Sequence, residues 1–594
     1  MNETETRQEL MTGAQIIVRS LIKQGVDVVF GYPGGQVLDV YDELYKHSEQ
    51  INHVLSAHEQ GATHAADGYA RATGKVGVVI ATSGPGATNL VTGIATAQLD
   101  SIPFVAITGN VATTLLGKDS FQETDIFGIT IPVTKHNYIV KNVEDLPKIL
   151  ADAFAIARSG RPGPVLIDVP RDVQTASCLC QLSSPDEGQE DHNKKSGHKE
   201  EADGENDAFS PALDEASTSL VSEDAIKEAA ELIASSKRPL IYCGGGVLSA
   251  AAGPQVMEFA EHIDAAIVCS IMGLTAIPAS YSRNLGMTGM HGREAAIRAT
   301  DSSDLIIAVG ARFSDRATGN KAHYTANTKF IHIDIDPAEI NKNIIADVAL
   351  VGDVKDVIRQ LFTYTPAAAR PEWQHEVNAM RVDTVAHPTP TDRLTAKTVI
   401  GAVQQHTDED TLIVTDVGQH QMWVAQNYRF EKPRTLLTSG GLGTMGYGMG
   451  ASIGACLGKS IASGSEPKKT VLFTGDGSFG MNLNEMATAV SQNLPLVIVI
   501  VNNGVLGMVR QWQTLFYDRR YSNTTLNRAT DFIALARAFG ADGRRTKNLE
   551  ELNEALGEAF ASPGPYVIDC IIDEEAKVFP MIPPGGTIND MLLG

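Results

Sequence analysis

The chain has 594 residues, enough for three or four domains, and 43% of them are hydrophobic, which allows large cores without disulfides. Its formal net charge of -23 argues against partners such as nucleic acid or an anionic membrane surface. The six cysteines show no CxxC pair, the first residues resemble no targeting peptide and no apolar run is long enough to span a membrane, so we expect a cytoplasmic protein with free thiols.

Residues 11–180 are predicted to form a first α/β domain. Apolar, β-prone runs at 26–30, 76–81, 103–108 and 164–169 alternate with helical segments, which indicates a parallel sheet covered on both faces. The second of these strands leads into TSGPGATN at 82–89. Glu59 lies near the start of a predicted helix, where spacing alone favours an acidic residue that complements the helix dipole.

Three further segments follow. Residues 181–221 are acidic and poor in aliphatic side chains, which predicts a disordered linker. Residues 222–362 are predicted to form a second α/β domain. Gly244-Gly245-Gly246 follows its first strand but no GxGxxG motif is present, so the pattern alone leaves a dinucleotide site open. Residues 363–390, rich in Pro and Ala, are predicted to be a second linker.

Residues 391–575 form a third α/β domain, and 576–594 form a tail. A strand at 471–474 ends in Gly475-Asp476-Gly477, one helix with Phe479 and Val490 on its apolar face follows, and a second strand at 496–501 ends in Asn502-Asn503. Such βαβ units are right-handed with parallel strands, so Asp476 and Asn503 are expected at the same sheet edge. Carboxylate and amide oxygens suit Mg²⁺, and the following helix start suits a phosphate.

GDG after one strand and NN after the next resemble the motif of thiamin-diphosphate-dependent enzymes. The resemblance implies that Asp476, Asn503 and the Val505 carbonyl hold Mg²⁺. It implies cofactor contacts, with Met445 as an apolar prop beneath the cofactor, at Gln419, His420, Gly443, Met445, Gly477, Ser478, Leu506, Gly507 and Met508. A core methionine and a solvated Gln-His loop remain the alternatives that spacing alone offers.

The segments HEQGA, GYAR and TSGPGATN resemble the pyrimidine-binding half of the same enzymes. Glu59 would then hydrogen-bond N1' of the cofactor's aminopyrimidine. Glu59 and Asp476 lie in different domains, and in the resembling family they lie on different subunits, so a homodimer or homotetramer is expected.

Further segments resemble acetohydroxyacid synthase. Gly35 and the pair Phe121-Gln122 match positions on the catalytic side of its site. The resemblance also implies FAD contacts, chiefly in the second domain, at Arg161, His291, Gly310, Arg312, Asp334 and Asp353. Arg171 stands where the family often carries Lys, and the two side chains differ in hydrogen-bonding geometry.

GMVRQWQ at 507–513 matches the substrate lid of that family. Met508, Val509 and Trp512 would line the site of the second ketoacid, and Arg316 would meet a substrate carboxylate or the flavin. A core tryptophan and a surface salt bridge are the plain alternatives for Trp512 and Arg316.

The resemblance implies three doubly wound parallel-sheet domains: pyrimidine-binding, central FAD-binding and diphosphate-binding. It implies that pyruvate is decarboxylated and joined to a second 2-ketoacid, pyruvate or 2-ketobutyrate, in branched-chain amino acid biosynthesis. The cofactors would be thiamin diphosphate, Mg²⁺ and FAD, and the sequence leaves open a small regulatory subunit. A pyruvate oxidase and a non-catalytic regulatory homologue are the alternatives.

Overall fold

The computed structural model describes residues 8–182, 221–381, 393–463 and 469–594. Three six-stranded sheets, each parallel throughout and flanked by helices, confirm the predicted architecture. The acidic stretch predicted as a linker lies almost wholly outside the described residues. Within them, no helix is both long and apolar enough to cross a membrane.

The first domain orders its sheet β3-β2-β4-β5-β7-β6, and β1 pairs with β8 in a separate antiparallel ribbon. Its strands are β1 (Glu9–Thr12), β2 (Val28–Tyr32), β3 (Asn52–Leu55), β4 (Gly77–Ala81), β5 (Phe104–Asn110), β6 (His136–Ile139), β7 (Pro164–Pro170) and β8 (Ser177–Cys180). Its helices are α1 (Gly13–Lys23), α2 (Leu38–Lys46), α3 (Glu59–Thr73), α4 (Pro85–Thr88), α5 (Val91–Asp100), α6 (Ile126–Thr130), α7 (Leu146–Arg158) and α8 (Arg171–Thr175).

The middle domain orders its strands β11-β10-β9-β12-β13-β14, the arrangement of dinucleotide-binding sheets. The strands are β9 (Pro239–Cys243), β10 (Ala266–Cys269), β11 (Asn284–Met287), β12 (Leu305–Val309), β13 (Lys329–Asp334) and β14 (Val348–Val351). The helices are α9 (Glu223–Ser235), α10 (Gly245–Ser249), α11 (Gly253–His262), α12 (Glu294–Ser302), α13 (Asp315–Thr318), α14 (Lys321–Thr325), α15 (Val354–Tyr364) and α16 (Pro371–Met380).

The third domain orders its strands β16-β15-β17-β18-β20-β19. The strands are β15 (Leu412–Thr415), β16 (Leu436–Leu437), β17 (Thr470–Gly475), β18 (Leu496–Asn502), β19 (Asp542–Thr546) and β20 (Tyr566–Ile571). The helices are α17 (Ala396–His406), α18 (Gln419–Asn427), α19 (Tyr447–Ser463), α20 (Asp476–Asn482), α21 (Met486–Ser491), α22 (Gly507–Phe516), α23 (Phe532–Phe539) and α24 (Leu549–Ala561). Counted within each sheet, this is the strand order of the first domain. The turn TSGPGATN after β4 and the turn Gly475-Asp476-Gly477 after β17 therefore follow equivalent strands of one repeated topology.

Two predicted elements are wrong. The single helix expected after Asp476 is broken by a 3-10 turn at Leu483–Glu485 between α20 and α21. The break turns the buried carboxylate of Glu485 toward α3, where it accepts hydrogen bonds from the backbone N–H groups of Ala57 and His58. Residues 363–390 are not a simple linker, because α16 lies within them. The apolar face of α16 buries Trp373, whose indole N–H donates to the Pro239 carbonyl, so this segment belongs to the middle domain.

Helices α3 and α19 join the first and third domains. Their contact is so close that a Cβ built on Gly454 would lie 1.7 Å from the Ala65 carbonyl oxygen, and one built on Gly68 would lie 2.1 Å from that of Ala451. Only glycine permits such an approach. One continuous hydrophobic core therefore runs from the first sheet through Tyr69 and Tyr447 into the third.

Candidate functional site

The carboxyl ends of β15, β17 and β18 lie side by side at one edge of the third sheet. The chain order reverses between β15 and β17, and ligands of open α/β sheets bind at such a point. α18 begins there with Gln419, α20 begins with Asp476, and β18 runs out into Asn503. The Asn503 side-chain amide donates to Gln419 Oε1 at 3.1 Å, and the Asp476 carboxyl interacts with the Gly504 amide next to Asn503, so residues from three separate turns meet here.

Asp476 is buried at this edge. Burial raises the pKa of its carboxyl to about 6, although hydrogen bonds from the Gly477 and Gly504 amides oppose the shift. Asn503 Oδ1 accepts the Val505 N–H at 3.3 Å, which folds the Asn503 and Val505 backbone into one tight turn. A carboxylate and an amide oxygen beside backbone carbonyls fit a hard divalent cation. Such a cation would supply the positive charge that stabilises the ionised carboxylate of the buried Asp476.

His420 and Ser478 close the same edge. Burial lowers the pKa of His420 to about 3, and its Nε2 has no hydrogen-bond partner among the described residues. A Cβ built on Gly475 would lie 3.1 Å from His420 Nδ1, and Ser478 Oγ donates to the Val417 carbonyl. An unpartnered buried ring nitrogen beside the start of α20 is suited to a phosphate group.

Met445 and Leu506 frame Gly477. A Cβ on Gly477 would lie 2.7 Å from Leu506 Cδ2 and 4.0 Å from Met445 Cε, so both apolar side chains approach the turn that begins α20. Gly507 has a similar constraint, since a Cβ there would lie 1.9 Å from Gln419 Oε1. Met445 is half-buried and Gly443 is exposed in the turn before α19. Met445 therefore presents an apolar group to the first turn of α20.

Glu59 lies at a different edge, that of the first sheet. It is the first residue of α3, and its carboxylate accepts a hydrogen bond from the Asn89 side chain at 2.9 Å. A Cβ on Gly86 would lie 3.4 Å from Glu59 Oε1, and one on Gly84 would lie 2.8 Å from the Gln122 carbonyl oxygen. TSGPGATN and the Phe121-Gln122 turn are thus close together, with Phe121 85% exposed and Gly35 exposed as well.

No hydrogen bond or ion pair joins Glu59 to Asp476 or Asn503 within the parts of the chain that the structure describes. The nearest link is indirect, because Glu485 after α20 holds the backbone just before Glu59. The pyrimidine half and the metal half of the predicted site are therefore not brought into direct contact in one chain.

The FAD residues predicted in the middle domain lie mostly at the carboxyl ends of its strands. A Cβ on Gly310 would lie 2.5 Å from Gly246 Cα, and its φ of +55° also favours glycine. Arg312 and Asp334 are brought near Arg161 of the first domain, which bonds Glu339 at 2.7 Å and Asp336 at 3.4 Å. Burial raises the pKa of Asp334, and it lowers that of Arg312.

His291 and Asp353 complete that set. His291 is buried, its pKa is lowered by burial to about 4, and its Nδ1 has no partner among the described residues. Asp353 instead caps α15, where one oxygen accepts the Lys355 N–H at 2.8 Å. The close glycine contact and the unpartnered histidine nitrogen fit a dinucleotide lying across these strand ends.

The residues predicted to form a substrate lid lie on α22. Trp512 is half-buried, so it is not a core tryptophan, and the Arg316 guanidinium carbon lies 5.4 Å from its ring centroid. Arg316 is itself exposed and pairs with Asp315 at 3.8 Å, as the surface salt-bridge alternative expects. Val509 is 52% exposed, and Met508 is partly buried. The buried side chains of the segment are its polar ones, Arg510 and Gln511.

Sequence analysis missed three polar residues at these edges. Gln511 accepts from Gln419 Nε2 at 3.0 Å and from the Val578 N–H, which ties the tail to the edge of the third sheet where Asp476 lies. Asn89 holds Glu59. Asp416, buried at the end of β15, accepts the Gly446 N–H at 2.8 Å, and burial raises its pKa to about 6. An aspartate directly after an apolar strand, as at Asp476, is the signal that could have revealed Asp416.

The domain models of one enzyme family match all three domains of the chain. The chain matches the thiamine pyrophosphate enzyme N-terminal TPP binding domain at residues 11–129, the central domain at 226–361 and the C-terminal TPP binding domain at 416–570. It is 45% identical over 595 residues to an acetolactate synthase of Mycobacterium bovis, covering 98% of this chain and 91% of the relative. It is 43% identical over 588 residues to the acetolactate synthase isozyme 2 large subunit of Escherichia coli, covering 98% and 99%.

A large subunit of acetolactate synthase from Corynebacterium glutamicum is 45% identical over 595 residues, covering 98% of this chain and 90% of the relative. Identity at this level along nearly the whole chain, together with the three matched domains, decides the family. The chain belongs to the acetolactate synthase (acetohydroxyacid synthase) large-subunit family of thiamine pyrophosphate enzymes.

Proposed function

We propose that the protein is the catalytic subunit of an acetohydroxyacid synthase. It decarboxylates pyruvate and joins the two-carbon unit to a second 2-ketoacid, giving 2-acetolactate from pyruvate or 2-aceto-2-hydroxybutyrate from 2-ketobutyrate, in branched-chain amino acid synthesis. The proposal rests on the meeting of Gln419, Asp476 and Asn503 at one sheet edge. Helix α22, which follows Asn503 in the chain, carries Trp512 and its contact with Arg316. The buried, unpaired thiols support a reducing compartment, the cytoplasm.

Mg²⁺ is held by Asp476, Asn503 and the Val505 carbonyl. The proposal is supported by the burial of Asp476 and by its raised pKa, since an ionised carboxylate in that position gains from a nearby cation. His420, Ser478 and the first N–H groups of α20 receive the diphosphate, as the unpartnered His420 nitrogen suggests.

When bound, thiamin diphosphate supplies the nucleophilic carbon and the electron sink for decarboxylation. Glu59 holds a proton at N1' of its aminopyrimidine. Asn89 fixes the Glu59 carboxylate by donating to one oxygen, which leaves the other for that proton. Met445 and Leu506, which both approach Gly477, would keep water from the apolar part of the site and would orient the cofactor.

Two chains build each site, with Glu59 from one and Asp476 from the other, in a homodimer or a homotetramer. Support comes from the apolar side chains left exposed near both edges, which a partner chain would cover. Those near the first edge include Tyr32, Leu115 and Phe121, and those near the edge of the third sheet are Leu442, Met481 and Val509. The relatives named "large subunit" suggest a small regulatory subunit as a further partner.

FAD binds in the middle domain, against Gly310, Arg312, Asp334, Asp353 and His291, with Arg161 reaching across from the first domain. The carboligation transfers no net electrons, so the flavin has a structural role. The sharpest rival, a pyruvate oxidase, would use the same flavin as an electron acceptor. Anaerobic pyruvate bleaches the flavin at the turnover rate in an oxidase, whereas in the synthase proposed here the flavin stays oxidised.

Product analysis tests the proposal. With pyruvate alone, thiamin diphosphate, Mg²⁺ and FAD, we expect CO2 and 2-acetolactate in equal amounts, and added 2-ketobutyrate should divert product to 2-aceto-2-hydroxybutyrate. Release of CO2 without either product would overturn the carboligase assignment. No CO2 release from a protein that binds its cofactors would favour the regulatory homologue.

A further inference from the structure

The segment 438–447, here called the prop loop, carries Gly443 and Met445 and leads into α19. Little of it is regular structure, since only Tyr447 belongs to a helix. Leu442 is 40% exposed at its tip. Its conformation therefore depends on contacts made by other parts of the chain.

A buried charge cluster from the first domain lies beneath the prop loop. Arg71, on α3, contacts Asp67 at 2.6 Å and Asp100, the last residue of α5, at 2.8 Å. The side chains of both aspartates are fully shielded from solvent, and that of Arg71 is 6% exposed. One guanidinium thus faces two carboxylates in an interior where uncompensated charge is costly.

The residues of this cluster also form hydrogen bonds with the prop loop. Asp100 accepts the N–H groups of Gly440 at 3.1 Å and Gly441 at 2.7 Å. Arg71 Nη1 donates to the Thr438 carbonyl at 2.9 Å. At the other end of the loop, the Tyr447 hydroxyl donates to Asp67 at 2.7 Å.

The two chain neighbours of Met445 are both held by hydrogen bonds. The hydroxyl of Thr444 bonds that of Thr96 in the first domain at 2.8 Å, while the Gly446 N–H donates to Asp416 in the third. The loop is thus fixed on both sides of the methionine, and four of its anchoring side chains, Asp67, Arg71, Thr96 and Asp100, come from the first domain. A buried ion cluster adds little stability over a packed apolar core, but it imposes one geometry.

We propose that Asp67, Arg71 and Asp100 are positioning residues that set the conformation of the prop loop, and through it the place of Met445 in the site. The part that concerns the cofactor rests on the function proposed above, whereas the ordering of the loop does not. The first domain thereby acts on the site twice: it supplies Glu59 to the partner's site and shapes the diphosphate half of its own.

The test is Asp100→Asn in the full-length protein. The asparagine side chain has the same shape as that of Asp100, but it has an NH2 group in place of one oxygen. This group would face donors on Arg71 or on the Gly440 and Gly441 backbone, so the prop loop loses a hydrogen-bond acceptor. Asp304→Asn is the matched control, because Asp304 also accepts two backbone N–H groups, from Lys237 and Arg238, but at the opposite, amino end of the middle sheet.

Hydrogen–deuterium exchange of the apo protein reads loop order without any activity. We expect exchange in peptides covering 438–447 to rise by about tenfold or more in Asp100→Asn and to stay unchanged there in Asp304→Asn. Unchanged exchange in Asp100→Asn, or an equal rise in the control, would overturn the proposal even if the enzyme assignment is correct.

Thr96→Val provides a second variant with no change in charge, should Asp100→Asn fail to fold. It removes one bond to Thr444, and we expect faster exchange at 444–446 only. At saturating thiamin diphosphate, kcat should fall about tenfold in Asp100→Asn while the KM for pyruvate changes less than about twofold, because a displaced prop disturbs alignment and not substrate contacts. A changed KM with unchanged kcat would contradict a positioning role.

Discussion

The guanidinium of Arg316, in the middle domain, lies over the indole ring of Trp512, in the third domain, with 5.4 Å between the guanidinium carbon and the ring centroid. The two residues are far apart in the chain, and α22 is fixed by Gln511, which bonds the tail at Val578. A cation held over a half-buried ring can meet a carboxylate while the ring meets an alkyl group. This pair is where we expect the second ketoacid to be chosen.

Trp512→Leu should lower the preference for 2-ketobutyrate over pyruvate as second substrate. The indole offers apolar surface to the extra methylene, which is worth roughly 1–3 kcal/mol in such a pocket, so the preference should fall by about tenfold or more while 2-acetolactate formation continues. Competition between the two ketoacids measures it. Phe516→Leu, one turn along α22 and in edge contact with Trp512, is the control and should leave the ratio unaltered; a shift as large as that of Trp512→Leu would reject the assignment.

Glu59→Gln should remove most activity without loss of cofactor. The amide keeps an acceptor for the Asn89 side chain but cannot hold the proton that we assign to the carboxyl, and such proton-transfer roles are worth about 10²–10⁴-fold. Turnover and thiamin diphosphate affinity are the paired measurements. Glu43→Gln removes a buried carboxyl on α2 that bonds Lys46 and should leave turnover nearly unchanged. A Glu59→Gln enzyme of normal rate would refute the role.

Asp476→Asn should abolish metal-dependent cofactor binding. It replaces the one charged ligand of the proposed Mg²⁺ site. Mutation of a residue that only orients a metal ligand lowers metal affinity about 10–100-fold, so we expect Asp476→Asn to lower it by more than about a hundredfold. Calorimetric titration of Mg²⁺ with thiamin diphosphate present gives the affinity. Asp304→Asn serves as the control for a lost carboxylate. Metal affinity that survives in Asp476→Asn would place the cation elsewhere.

Asp168 should make heat stability fall as pH rises. It lies buried at the end of β7, where burial raises its pKa to about 7 despite hydrogen bonds from Asn110 and Thr108. Between its ordinary pKa near 3.8 and about 7, the folded chain holds a proton that the unfolded chain has lost, so stability declines across that window, by roughly 4 kcal/mol at most.

Asp168→Asn removes this titration. Its Tm relative to the parent protein should therefore become more favourable between pH 5 and pH 8, as measured by calorimetry at both values. A Tm difference that is the same at both pH values, or that moves the opposite way, would show that Asp168 does not titrate in this range.

The strands, the turns and the common edge of Asp476 and Asn503 could be predicted because they follow from local patterns: apolar runs that end in glycine or asparagine. The parallel topology then brings those ends together without knowledge of any side-chain contact. The family resemblance named Glu59 where spacing alone favoured a helix-dipole role. Its placement at the first residue of α3 satisfies both interpretations.

What could not be predicted depends on tertiary contacts. The 3-10 turn at Leu483–Glu485 exists because Glu485 reaches the backbone at residues 57 and 58, more than four hundred positions away. Trp373 makes α16 part of the middle domain by packing against it, although the surrounding composition is that of a linker. In the sequence, Asp100 is an ordinary residue at the end of a helix. Only the structure shows that it accepts the N–H groups of Gly440 and Gly441, more than three hundred positions away.

The central claim is that Glu59 of one chain and Asp476 of another complete each site, and mixing two inactive variants tests it most directly. Glu59→Gln and Asp476→Asn chains are unfolded or dissociated together and reassembled. Each mixed dimer then contains one site with both changes and one site with neither, so we predict recovery of about a quarter of the parent activity at equal mixing. Activity no higher than that of either variant alone, in dimers shown to contain both chains, would contradict a site shared between chains.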